Sequence, residues 1–287
     1  MITIFQAIIL GLIQGVTELF PVSSLGNSVI LPSIFGWHIS QNAPYFLTFL
    51  VATHFATATV LFIFFFKEWK LILKGMYRSF LAREIEKGDH YAKLGWLLVV
   101  ATIPAGIIGL LFQDSLRSLF ASAQIAAFFL IINGIILFLA EKLRKRSIQK
   151  VTTDAVSDAH IAKLHWWQSI SIGIAQSFAL IPGISRSGTA ISGGLLAGLG
   201  HEDAARFSFL LATPVIGAAA LLKLPSLFSS SQAPLRGVML AGALSAAVAA
   251  FFSVKFLVKY FKTKTLTPFA IYCFFGGIIY SIYFLVK

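Results

Sequence analysis

Of the 287 residues, 57% are apolar and only 12% are charged, too little charge for the surface of a soluble globular domain. The formal net charge of +12 would suit a nucleic-acid partner, but the lysines and arginines cluster in loops between apolar runs, so no nucleic acid is expected. Cys273 is the single cysteine and lies inside an apolar run, which leaves no disulfide framework and no thiolate metal site.

Taken in chain order, residues 3–20 and 22–36 are apolar segments that flank Pro21, and the junction from Gln14 to Asn27 reads QGVTELFPVSSLGN. A proline removes a backbone donor and breaks a helix, while lipid cannot satisfy the freed carbonyls. Such a break at membrane depth belongs inside the protein or against a wet cavity. The pair therefore reads as a re-entrant hairpin that enters and leaves on one side. Gln14 and Glu18 sit in its first arm and another membrane segment follows at once, so a cleaved signal peptide is not expected.

Residues 43–66 form the first full span, of the roughly 20-residue length that crosses a bilayer. It carries His54 among Thr53, Thr57 and Thr59, where a histidine is either a hydrogen-bonded core residue or a proton carrier and site wall. The basic stretch 67–93, with Glu68, Glu84, Glu86 and Asp89 mixed in, suits an amphipathic surface segment on anionic headgroups. Spans follow at 93–112 and 120–141, then a basic linker over 142–163.

The pattern then repeats. Residues 166–181 and 186–200 flank Pro182-Gly183 inside QSFALIPGISRSGT, Gln176 to Thr189, and spans follow at 205–223, 236–258 and 267–286. The expected fold is an all-α integral membrane protein with six full transmembrane helices and two re-entrant helical hairpins. An odd number of spans in each half turns the second half upside down, which makes an inverted repeat with its site near the midplane. One membrane domain, 1–287, then divides into a first repeat 1–141, a linker 142–165 and a second repeat 166–287. Aligned on the two prolines, Ser24 falls opposite Ser185, and Gln14 and Gln176 differ by one position.

In this topology the basic residues of 67–93, 142–163 and 255–264, with Arg206, share one side, and the other receives Arg117, Lys223, Arg236 and Lys287. The rich side is expected to be cytoplasmic, with the first hairpin opening outward.

Away from span ends, the ionisable side chains at membrane depth are Glu18, His54 and Arg186. Glu18 precedes Pro21 at the negative end of its own helix, an arrangement that costs about 0.3–1 kcal/mol and calls for a cation nearby. Gln14 and Glu18, four apart, share a helical face and can hold an arginine or a hard cation such as Mg²⁺ or Ca²⁺. The plainer alternative is an ion pair with Arg186 that only ties the hairpins together. After each proline come small and hydroxyl residues, Ser23, Ser24 and Gly26 in one hairpin and Gly183, Ser185, Ser187 and Gly188 in the other. Helix starts of this kind favour phosphate, although serine capping alone also explains single positions. Arg186 can bind phosphate oxygens bidentately and stabilise charge that develops during transfer.

These motifs resemble the bacterial undecaprenyl-diphosphate phosphatase family, also called the bacitracin-resistance protein family. Gln14, Glu18 and Pro21-Val22-Ser23-Ser24 match its first signature, and Pro182, Gly183, Ser185, Arg186 and Ser187 match its PGxSRS segment. The resemblance covers nearly the whole chain. It implies removal of the terminal phosphate from a C55 polyprenyl diphosphate with help from a divalent cation, in the bacterial inner membrane, with the site facing outward. Carried across, Glu18, Ser24 and Arg186 are catalytic, with Ser24 or an activated water as the nucleophile. Gln14 and Glu18 hold the metal or handle protons, and Gln14, Ser23, Asn27, His54, Gly183, Ser185, Ser187 and Thr189 bind substrate.

The chain departs from the family pattern at three positions. Asn27 stands where the family has histidine, Ala190 replaces a threonine with Thr189 one position early, and Leu50 replaces an acidic residue. Asparagine can hydrogen-bond but cannot take and release a proton near neutral pH. A carrier that flips polyprenyl phosphate or another anionic lipid is therefore the alternative, and a C₂ dimer is expected only as the commonest oligomer.

Overall fold

The computed structural model describes residues 2–37, 39–40, 43–112, 122–144, 154–227 and 234–286. Expected features at Arg117, at linker residues 145–153 and at Lys287, together with the Lys223 side chain, lie outside the described residues. The architecture is all-helical, with no strand among the described residues.

In chain order the helices are α1 (Ile4–Thr17), α2 (Ser24–Ile34), α3 (Pro44–Phe64), α4 (Phe66–Ala82), α5 (His90–Leu111), α6 (Ala123–Leu143) and α7 (Asp154–Ile161). The second half holds α8 (Trp166–Ser177), α9 (Arg186–Leu196), α10 (His201–Leu227), α11 (Arg236–Tyr260) and α12 (Thr267–Val286). Five of these, α3, α5, α6, α11 and α12, are long and apolar enough to cross a membrane. The protein is a multi-pass membrane protein.

Both proline-broken segments form pairs of short helices. The chain leaves α1 at Thr17, turns through Pro21 and restarts at Ser24, and it leaves α8 at Ser177, passes a 3₁₀ turn at Phe178–Leu180 and restarts at Arg186. Each restart is capped by a serine hydroxyl, Ser23 accepting from the Gly26 N–H at 3.2 Å and Ser185 from the Gly188 N–H at 3.1 Å.

The helices pack through small residues, as expected where lipid removes any hydrophobic drive between them. A Cβ on Gly11 of α1 would stand 2.2 Å from the Gly242 carbonyl of α11, and one on Gly173 of α8 would stand 2.4 Å from the Ala101 carbonyl of α5. Thus α1 lies on α11 as α8 lies on α5, α3 also packs on α11 while α10 packs on α5, and α6 pairs with α12.

The basic stretch 67–93 is largely the amphipathic helix α4, which buries Trp69, Ile72, Gly75 and Ser79 against α5 and exposes Leu73, Tyr77, Phe80 and Leu81. The linker is not wholly irregular. Its helix α7 docks on α10, where Asp158 pairs with Arg206 at 2.7 Å and the Ser157 hydroxyl donates to Asp203 at 2.5 Å.

Candidate active site

The two helix restarts meet. A Cβ on Gly26 would stand 3.0 Å from the Gly183 Cα, and the Ser187 hydroxyl donates to the Phe20 carbonyl at 3.1 Å. Gly183 has φ +98°, the left-handed region open to glycine, and a Cβ there would fall 2.3 Å from the Ala126 carbonyl of α6. No larger residue fits at that turn.

Glu18 lies at the centre of the junction, nearly fully buried at 5% exposure. Its Oε1 accepts from both Nε and Nη2 of Arg186 at 3.2 Å, and the remaining Arg186 nitrogen, Nη1, donates to the Ser208 carbonyl at 3.3 Å. Its Oε2 accepts from the Ser24 hydroxyl at 2.6 Å and from the Gln14 amide at 3.0 Å, with His54 Nε2 at 3.3 Å. His54 Nδ1 faces the Leu50 carbonyl at 2.7 Å, so both ring nitrogens face oxygen atoms.

The carboxylate that the sequence placed at an unfavourable helix end is thus held by four side chains. Two of those, Arg186 and His54, retain 13% and 19% of their side-chain exposure, and they mark the open side of an otherwise buried cluster.

Gln14, Glu18, Ser24, His54 and Arg186 therefore converge on one point. The other predicted site residues sit around it, with hydrogen bonds to backbone, to one another and, for Asn27, to Tyr272. Thr189 donates to the carbonyls of Ser185 and Arg186 at 3.0 and 3.2 Å, and the Ser185 and Ser187 hydroxyls stand 3.1 Å apart. Asn27 donates to the Val22 and Ser23 carbonyls, both at 2.8 Å, and its Oδ1 accepts from the Tyr272 hydroxyl at 2.9 Å. Ser23, the cap, adopts φ +65°, a strained position for a residue with a side chain.

Two residues that a search for ionisable groups passes over belong to this junction. Asn133 of α6 is fully buried and bonded to both hairpins, and Tyr272 of α12 reaches Asn27. The signal available for Asn133 was an amide in the middle of an otherwise apolar span.

The chain matches the family described as "Bacitracin resistance protein BacA" over residues 7–279. It belongs to that family. Among curated relatives, "Undecaprenyl-diphosphatase" of Mycolicibacterium paratuberculosis is 44% identical over 95% of this chain and 94% of its own length. "Undecaprenyl-diphosphatase 2" of Frankia alni is 42% identical over 99% of both chains, and "Undecaprenyl-diphosphatase" of Acidiphilium cryptum is 45% identical over 94% of both. Within the matched stretch, the two proline-broken motifs lie at the point where the two broken helix pairs touch.

Proposed function

We propose that this chain hydrolyses undecaprenyl diphosphate to undecaprenyl phosphate and inorganic phosphate. The observation that carries the reading is the sharing of one buried carboxylate, Glu18, by a hydroxyl and a guanidinium from opposite hairpins. The relatives bear the name of that activity over nearly the whole chain. The transporter alternative finds no support in those names.

In this reading the Ser24 Oγ attacks the terminal phosphorus while its proton passes to Glu18 Oε2, 2.6 Å away. The bond from that phosphorus to the bridging oxygen breaks, and undecaprenyl phosphate leaves. Water then releases phosphate from Ser24. Arg186, with His54 beside it, faces charge that spreads over the phosphoryl oxygens, where a guanidinium is worth more than in water because the cluster is largely buried.

The residues fit a divalent cation. Gln14 turns its amide nitrogen to Glu18, and its Oε1 is buried with no hydrogen-bond partner; hard cations take oxygen donors of this kind. Among the described residues no group of three His, Cys, Asp or Glu side chains comes together, so Gln14 and Glu18 would supply the protein's share and the diphosphate the rest. When bound, Mg²⁺ or Ca²⁺ neutralises the diphosphate and polarises its oxygens.

We also propose the finer topology of six spans, with α10 as the sixth, and two re-entrant hairpins in inverted repeats over 1–141 and 166–287, joined by 142–165. The exchanged packing supports it: α1 on α11 and α3 on α11 mirror α8 on α5 and α10 on α5, while α6 with α12 is its own mirror. Gly11 and Gln14 of α1 also recur, with equal spacing, as Gly173 and Gln176 of α8. The basic loops support a cytoplasmic position for the shared linker, and the family resemblance supports a bacterial inner membrane with the site open to its outer side.

Purified protein in detergent, given C55 diphosphate with Mg²⁺ or Ca²⁺, is expected to release phosphate. Glu18→Gln and Arg186→Ala are expected to release it at least about 10³-fold more slowly. Wild-type release no faster than in these variants, with lipid binding retained, would sink the reading.

A further inference from the structure

Asn133 is fully buried in α6, the carboxamide of an otherwise apolar stretch. Its Nδ2 donates to the Pro21 carbonyl of the first hairpin at 3.1 Å, and its Oδ1 accepts from the Ser185 N–H of the second hairpin at 3.0 Å. Both backbone groups lie at helix interruptions, where no intrahelical partner is available. The nitrogen also reaches the Cys273 Sγ of α12 at 3.2 Å.

The two clasped groups are close in sequence to the chemistry. Pro21 lies three residues from both Glu18 and Ser24, and Ser185 immediately precedes Arg186. A carboxamide is planar and rigid, so its donor and acceptor cannot move apart. We infer that Asn133 is a positioning residue: it sets the spacing between the Glu18–Ser24 half and the Arg186 half of the site without touching substrate.

The inference rests on the phosphatase reading. The hairpins also meet directly at Gly26 and Gly183 and through Ser187, and Gly183 packs on the Ala126 carbonyl of α6, but none of those contacts joins both tips through one hydrogen-bonding group. Asn133 ties each tip to the same atom group of a long span. Misplacement of reacting groups by about 1 Å can cost on the order of 10²-fold in rate.

The test compares Asn133→Leu, Asn133→Asp and Cys273→Ala with wild type, by phosphate release from C55 diphosphate with Mg²⁺ and by amide hydrogen exchange of the segment around Ser185. Asn133→Leu is expected to lower kcat about 10- to 100-fold while KM stays within about threefold. The Ser185 amide is expected to exchange at least about tenfold faster, since its partner is gone.

Asn133→Asp separates positioning from mere packing. A neutral aspartic acid can donate to the Pro21 carbonyl and accept from Ser185 N–H, whereas its carboxylate can only accept. Its kcat should exceed that of Asn133→Leu about fivefold or more at pH 5.5, with the margin narrowing by pH 8.5. Cys273→Ala, which keeps both Asn133 bonds to the hairpins and removes only the long thiol contact to the Pro21 carbonyl at 3.6 Å, should keep kcat within about twofold and Ser185 exchange unchanged.

Wild-type kcat in Asn133→Leu, a KM rise matching the fall in kcat, or no rescue by Asn133→Asp would each overturn the inference. If Asn133→Leu does not fold, the pH-dependent margin of Asn133→Asp against wild type decides. If wild type itself releases no phosphate, the phosphatase reading fails, and unchanged Ser185 exchange in Asn133→Leu then removes the clasp as well.

Discussion

Two buried arginines in this molecule have been given different surroundings. Arg206 of α10 pairs with Asp158 of α7 through Nε at 2.7 Å, with Glu68 of α4 through Nη2 at 3.0 Å, and stacks over the Phe65 ring at 5.5 Å. Arg186 has one carboxylate, Glu18, and shares it with His54. An arginine facing two carboxylates has its charge more than cancelled locally and fastens three helices. Arg186 must share its single carboxylate with His54, Ser24 and Gln14 at a partly open point, so its charge is less fully answered and is available to an anion. The lesson is that burial and ion pairing alone do not mark a site; the local balance of charge does.

The sharpest break in this comparison is in turnover. Arg186→Ala should lower kcat/KM by about 10³- to 10⁵-fold, the range for an arginine that stabilises phosphoryl charge. Arg206→Ala should leave kcat of the folded fraction within about threefold. Steady-state phosphate release, normalised to folded protein, checks both; comparable activity losses would erase the distinction.

Stability should show the reverse. Removing Arg206 takes the guanidinium away from Asp158, only 1% exposed, and from Glu68, a change that costs about 3–5 kcal/mol. Arg186→Ala leaves Glu18 its bonds from Ser24, Gln14 and His54, so its loss should be smaller. Thermal unfolding in one detergent ranks the two variants.

An anion provides the intermediate effect. Pyrophosphate at a hundredfold excess over its Kd should stabilise the wild type by about 2.7 kcal/mol through mass action. The same protection is expected in Arg206→Ala and should vanish in Arg186→Ala. Protection that survives loss of Arg186 would place the anion elsewhere.

The broad architecture was legible because lipid imposes a strong rule: apolar length marks a span, and a proline at that depth marks a break that protein must cover. Glu18, Ser24, His54 and Arg186 were legible because charge and hydroxyls at membrane depth are rare and costly. Asn133, Tyr272 and the Ser208 carbonyl were not, because neutral amides, phenols and backbone groups leave little trace in composition. The docking of α7 through Asp158 and Arg206 was hidden for another reason. Charged residues in a loop look solvated until tertiary contact brings their partners from α4 and α10.

The smallest expected effect comes from uncharged bonds at the same hairpin tip, and it asks whether the receptor side of the comparison depends on charge alone. Asn27 stands where the family pattern has histidine. Its amide nitrogen closes the turn by donating to the Val22 and Ser23 carbonyls, while the Tyr272 hydroxyl holds its oxygen. Those bonds hold the turn in which Ser23 keeps its positive φ, next to Ser24. Tyr272→Phe leaves the Asn27 oxygen without this donor, and a loss of about 1 kcal/mol, or roughly fivefold in kcat, is expected. Asn27→His carries only one N–H in its neutral form and must release one of the two carbonyls. Its rate should therefore fall by a similar factor. A rise in phosphate release from Asn27→His would show instead that proton transfer by histidine outweighs the closed turn, and that charge governs this tip after all.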